Sequence, residues 1–164
     1  MILRPASLEE LPAVVTLAQH FLAATAYGPL LRAKPEIIHQ TATLLVSGHG
    51  VILVAEAEVS HIHHSFLEGE CPYTSKQLVA FLAVYAGPHP FSGELVGDEL
   101  GWWIEPGARG GRLAHKMLGW IERWGRQNGL SVLKLVAPAG SNLGKHYEQR
   151  GYTFVESAYQ ITFL

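Results

Sequence analysis

The run Pro106-Gly107-Ala108-Arg109-Gly110-Gly111-Arg112-Leu113-Ala114 is the part of this 164-residue chain whose residue types best suit an anion. A glycine-bearing turn ahead of a helix lets backbone N–H groups face a phosphate, and the helix dipole adds to the attraction. Arg112 brings a guanidinium whose fork of donors matches phosphate oxygens. The same glycines also serve a purely steric turn. No Lys-Ser or Lys-Thr follows the last glycine and the three-glycine dinucleotide spacing is absent, which argues against kinases, GTPases and nicotinamide enzymes.

A second group, His61, His63, His64 and Cys71, offers soft metal ligands within residues 59–77. Its spacing fits no closed zinc pattern, so no metal is assigned. Nothing in the sequence places a base beside Cys71 to make it a nucleophile. The segment is longer than a tight hairpin needs and reads as a surface loop or a dimer contact.

Charge is unevenly spread. Residues 1–105 carry four basic and eleven acidic side chains, a net −7, whereas residues 106–150 carry eight basic and two acidic, a net +6. The basic stretch reads as an anion-docking region or as a solvated helix face. The acidic remainder opposes a long phosphate backbone, and no RNA-recognition or zinc-finger signature is present, so nucleic acid is not expected.

The elements that must position these residues follow from periodicity. Met1 to Pro5 reads as a short strand, and Ser7 to Glu10 has capping-box spacing ahead of a helix with Leu11, Val14, Val15, Ala18 and Leu22 on one face. A second helix starts near Pro35, buries Ile38, Thr41 and Leu45, and stops at Gly48. Val51–Ala55, Leu78–Tyr85 and Leu95–Ile104 read as strands. Leu113, Met117, Trp120, Ile121 and Trp124 form the clearest amphipathic helix of the chain, closed by Gly129. Leu130–Ala137 reads as the next strand, joined to Leu95–Ile104 by a right-handed parallel crossover. Asn142–Arg150 is a short helix, and Tyr152–Leu164 supplies one or two final strands.

With 48% apolar and 16% charged residues, the chain suits a single domain over residues 1–164. One cysteine permits no internal disulfide, and the first residues lack the apolar core of a signal peptide, so a reducing cytoplasmic setting is expected. The uncharged runs 37–55 and 77–93 are broken by glycine and proline turns and are not read as membrane spans. A mean hydropathy of +0.15 is compatible with a homodimer.

On these motifs the chain resembles the GNAT superfamily of N-acetyltransferases. Ile104-Glu105-Pro106 is similar to the family's strand exit, and Arg109 and Ala114 match the ends of its acetyl-coenzyme A motif. The middle glycine of that motif is replaced by Arg112, with Gly111 one residue earlier, so the turn is re-registered. Asn142, Tyr147 and Gly151-Tyr152 resemble the second motif. The resemblance implies a mixed α/β (α+β) fold: a mostly antiparallel sheet of six to seven strands, a splayed parallel pair of central strands and about four flanking helices.

It also implies an acetyl-coenzyme A dependent N-acyltransferase, in which a primary amine of a small molecule, peptide or protein attacks the thioester directly. An inert acyl-coenzyme A sensor on the same fold is the alternative. The implied cofactor contacts are Trp103, Ile104, Arg109, Gly110, Gly111, Arg112, Leu113, Ala114 and Asn142. Pantetheine would pair with freed main chain at Trp103 and Ile104 on one side and Val136 and Ala137 on the other. Tyr147 takes the place of the family's general acid and Glu99 that of its base, with Glu94, Asp98 and Glu105 as competitors. Strict alternation puts Glu99 on the face of Gly101 and Trp103, away from Leu100 and Trp102. Trp102 and Trp103 either pack one on each face or shape an acceptor pocket.

Overall fold

The computed structural model describes residues 1–65, 69–110 and 112–163, with side chains described outside residues 60–74. Strands β1 (Ile2–Pro5), β2 (Gly50–Ser65), β3 (Gly69–Pro88), β4 (Leu95–Ile104) and β5 (Val132–Lys134) form one sheet in that order. The first three pairings are antiparallel and β4–β5 is parallel. Helices α1 (Leu11–Ala24) and α2 (Pro35–Leu44) cover one face. Helix α3 (Leu113–Gln127) covers the other, and α4 (Leu143–Gln149) follows β5.

Alternation along β2 and β3 builds both cores. Leu53, Ala55, Leu82 and Val84 meet Leu113, Met117 and Ile121 of α3. Ile52, Val54, Phe81 and Ala83 meet Leu11, Val14 and Leu17 of α1, Ala42 of α2 and Leu45 just after it. Each large aliphatic side chain removed from water in this way contributes about 1.5–3 kcal/mol before conformational entropy is set against it. Arg4 ties β1 down: its guanidinium contacts Glu10 at 2.7 Å and Glu56 at 2.8 Å, and Glu10 also accepts the Ser7 N–H at 2.9 Å. These bonds hold the Glu10 carboxyl low, at about 2.

Several expectations are corrected. The sheet has five strands among the described residues rather than six or seven, because residues 152–163 carry no strand. Their alternating apolar residues have no partner edge, and Tyr159, Ile161 and Phe163 stand exposed. The parallel pair therefore lies at the sheet edge instead of its centre, and β5 is three residues long instead of eight. The described parts of the 59–77 segment are not a loop: residues 59–65 and 69–77 extend β2 and β3 as an antiparallel pair, with His63 opposite Cys71 in register. The side chains of His61, His63, His64 and Cys71 lie outside the described residues. Thr41 faces solvent, and Ala42 is the buried residue of α2.

One close approach sets the distance between α1 and β4. A Cβ on Gly101 would lie 2.9 Å from the Phe21 ring, which itself packs edge-on against Phe81 with centroids 6.1 Å apart. Gly101→Ala is expected to cost about 1–3 kcal/mol through overpacking, read as a lower Tm. Adding Phe21→Leu should recover part of that loss.

Candidate active site

The site is built where β4 and β5 part. Their pairing covers only Val96, Gly97 and Asp98 against Val132, Leu133 and Lys134, and a Lys134–Asp98 ion pair of 2.8 Å marks its end. Beyond it β4 runs on to Ile104 while the other chain leaves the sheet, so the peptide groups of residues 135–137 lose their strand partner. Backbone polar groups at such a break need other partners. At Val136 two side chains supply them. The Val136 N–H donates to Glu99 Oε2 at 3.0 Å, and its carbonyl accepts the Tyr147 hydroxyl at 3.3 Å.

Glu99 reaches that peptide because β4 carries a bulge. Val84 pairs with Glu99 and Ala83 with Gly101, leaving Leu100 as the extra residue. Strict alternation therefore fails here. Glu99 shares the α3 face with Gly97 and Trp102, while Gly101 and Trp103 face α1, which corrects the expected grouping of Glu99 with Gly101 and Trp103. Desolvation raises the Glu99 carboxyl to about 7 against the opposing effect of the Val136 N–H.

Tyr147 is the buried residue of α4. Burial, with Glu99 and Tyr152 nearby, pushes its phenol well above its ordinary value, so it keeps its proton at neutral pH. A clamp to α3 fixes the short helix: Arg150 Nε and Nη2 each bond Glu122 at 2.8 Å, and the Tyr152 hydroxyl donates to the same carboxylate at 3.2 Å. The Arg150 guanidinium holds Glu122 below its usual range. The Tyr152 ring lies 5.4 Å from that of Tyr147, which completes the support.

The glycine turn joins β4 to α3. Gly110 adopts φ +90°, a conformation that favours glycine, and Arg112 is the N-cap residue of α3 and is exposed. Gly111 lies outside the described residues. Leu113 is buried in the core, Ala114 is half-buried, and Asn142 is the exposed N-cap residue of α4. Arg109 does not extend from the turn. Its guanidinium lies 4.5 Å from the Trp103 ring centroid and its Nε donates to the Ile104 carbonyl at 2.9 Å, so it is folded back on β4. The two tryptophans point to opposite faces of the strand, and both indole N–H groups are buried without a protein acceptor.

Among the competing carboxylates, Asp98 is paired with Lys134 and Glu105 contacts His20 Nδ1 at 2.6 Å. Glu94 sits in the exposed turn before β4. The structure thus brings Glu99 and Tyr147 to the main chain of one residue, Val136, and leaves Arg112 and Asn142 on the surface. Sequence reading missed the Glu122 clamp and the His20–Glu105 contact. Their partners are 28 and 85 residues apart, and no local pattern marks such pairs. Among the described residues no group of three or more His, Cys, Asp or Glu is placed to hold a metal, and no helix is long and apolar enough to cross a membrane.

Comparison with known proteins places this geometry in context. Residues 45–152 match the model of the acetyltransferase (GNAT) family. Among solved structures, a predicted acetyltransferase with acetyl-CoA from Clostridium acetobutylicum superposes with a TM-score of 0.71 at 16% identity, covering 98% of this chain and 95% of that one. A ribosomal-protein-alanine N-acetyltransferase from Brucella melitensis biovar Abortus 2308 gives 0.64 at 20% identity, covering 99% and 100%. An aminoglycoside N-acetyltransferase in complex with CoA gives 0.68 at 11% identity, covering 99% and 93%. At these identities the likeness is one of fold. A search of curated proteins finds no match.

The raised Glu99 carboxyl has a consequence for stability. It binds its proton more tightly folded than unfolded, so its contribution is full below about pH 4.5 and is lost as the pH climbs to about 7. The loss is at most about 3 kcal/mol. Urea unfolding of the wild type and Glu99→Gln across this range should show a falling difference that levels off above pH ~7.

Proposed function

The chain belongs to the acetyltransferase (GNAT) family, and we propose that it is an acetyl-coenzyme A dependent N-acyltransferase in which a primary amine attacks the thioester directly. The observation that carries this reading is the meeting of Glu99 and Tyr147 on the N–H and the carbonyl of one residue, Val136, at the mouth of the β4–β5 split. The split leaves main-chain groups for an amide-bearing pantetheine arm to pair with, much as an added strand would. The N-terminal end of α3, with exposed Arg112, lies at the end of β4 and suits the pyrophosphate.

Acetyl transfer requires a neutral amine, a polarised carbonyl and a proton for the leaving thiolate. Glu99, with its carboxyl raised to about 7, is matched to removing a proton from an ammonium near neutral pH. Tyr147 retains its phenolic proton and is the group to deliver it to the thiolate sulfur. A backbone N–H near Ile104 would polarise the thioester carbonyl, an oxyanion-hole contact. Carbon–sulfur cleavage and carbon–nitrogen formation then yield the acetylated amine and free coenzyme A. The remaining parts of the reading are a single domain over residues 1–164, a cytoplasmic setting supported by the lone cysteine, and association of two copies supported by exposed Leu30, Leu31 and Ile37.

A second reading is favoured by a specific observation. Arg109 is withdrawn onto Trp103, and the Ile104 carbonyl is already occupied. An acyl-coenzyme A binding module without turnover would tolerate that arrangement. Calorimetry with acetyl-coenzyme A, followed by thiol release against an amine panel, separates the two: tight binding with no amine turned over supports the module, and no binding at millimolar concentration overturns both.

For the enzyme, Tyr147→Phe is expected to lower kcat by roughly 10–100-fold with little change in coenzyme A affinity. The wild-type kcat/KM should rise with pH through about 7 as Glu99 ionises, and Glu99→Gln should flatten that limb. A wild-type limb at the same pH in Glu99→Gln would remove Glu99 as the base.

A further inference from the structure

Resting on the acyl-transfer reading, we infer that Glu99 is a built-in plug of the cofactor cleft: its carboxylate occupies the Val136 N–H that the acyl donor's pantetheine must take, so donor loading and release of Glu99 are one event. The geometry carries this. The parallel ladder ends at Asp98 and Lys134, and beyond it the Val136 N–H of the departing chain is bridged to β4 by the Glu99 side chain. A carboxylate there imitates the carbonyl of a missing strand. The bulge at Leu100 is what turns Glu99 toward the gap; without it the side chain would face α1.

The carbonyl of the same residue, in the next peptide group, is held differently. The Val136 carbonyl is bonded by Tyr147, whose helix is clamped to α3 through Arg150 and Glu122. Val136 is therefore held at its carbonyl by a tyrosine on a clamped helix and at its N–H by the Glu99 side chain. Pantetheine amide carbonyls can replace the carboxylate at the N–H without disturbing the Tyr147 contact. The displaced Glu99 has given up its bond to the Val136 N–H and is free to accept a proton from the incoming amine. Glu99 is in this respect a positioning residue for the cofactor as well as the proposed base, and a carboxylate that competes with the donor would keep it from acting before the thioester is seated.

The test compares coenzyme A with phosphoadenosine diphosphate, the nucleotide half that lacks pantetheine, on the full chain by calorimetry. A charge-assisted hydrogen bond is worth enough that its removal from the free protein should tighten coenzyme A binding by about 10-fold in Glu99→Ala. Phosphoadenosine diphosphate affinity should stay unchanged in the same variant. Val136→Pro removes the N–H, and in that background Glu99→Ala should give no gain. Thermal melts of each variant establish that it is folded. Equal or weaker coenzyme A binding by folded Glu99→Ala overturns the plug while leaving the acyl-transfer reading intact. Failure of the wild type to bind either ligand overturns the acyl-transfer reading itself. A gain that extends to phosphoadenosine diphosphate, or that survives Val136→Pro, assigns the effect to general stabilisation and also overturns the plug.

Discussion

The parting of β4 from β5 after three residue pairs is the constraint on which the rest of the site depends. A strand that leaves its sheet exposes main-chain donors and acceptors, and each must find a partner or remain solvated. Here the cost is met by two side chains, Glu99 at the N–H of Val136 and Tyr147 at its carbonyl. The features around them serve that meeting. A bulge turns Glu99 to the correct face, α4 carries Tyr147 into the core, and the Arg150–Glu122 pair fixes α4 on α3.

The same arrangement separates two chemical environments. On the α3 face, Glu99 and Tyr147 lie in a partly desolvated setting that raises both toward their neutral forms. On the α1 face, Trp103 lies under Arg109, and His20 meets Glu105 across 85 residues of chain. The strand between them is β4, whose paired tryptophans pack one to each side. Each leaves an indole N–H without a protein acceptor, so β4 carries buried donor capacity on both faces. Gly101 lets α1 come close enough to shape the second face, with the Phe21 ring where a side chain would otherwise stand.

Much of the architecture was legible from residue patterns. The period of α3, the bounds of β4, the short first strand and the parallel crossover between β4 and β5 all follow from apolar spacing and turn residues, because these signals are local. The errors arose where a nonlocal partner decides the outcome. Tyr152–Leu164 alternates as a strand should, yet a strand exists only against an edge, and among the described residues none pairs with 152–163. The segment around His61 looked too long for a hairpin because its length was judged without the register that extends β2 and β3 together.

The sequence alone determined the types of group available and their order: an anion-suited turn before an amphipathic helix, a strand with Glu99, and a later short helix with Tyr147. Its charge division, −7 before residue 106 and +6 across residues 106–150, is likewise a property of the chain. Tertiary structure alone decided that Glu99 and Tyr147 both bond the main chain of Val136, that Arg109 folds back from the turn, and that Glu122 supports the helix of Tyr147. The physical reason is that side-chain direction in β4 depends on one bulge, which arises from pairing with β3 and reverses the parity that alternation predicts.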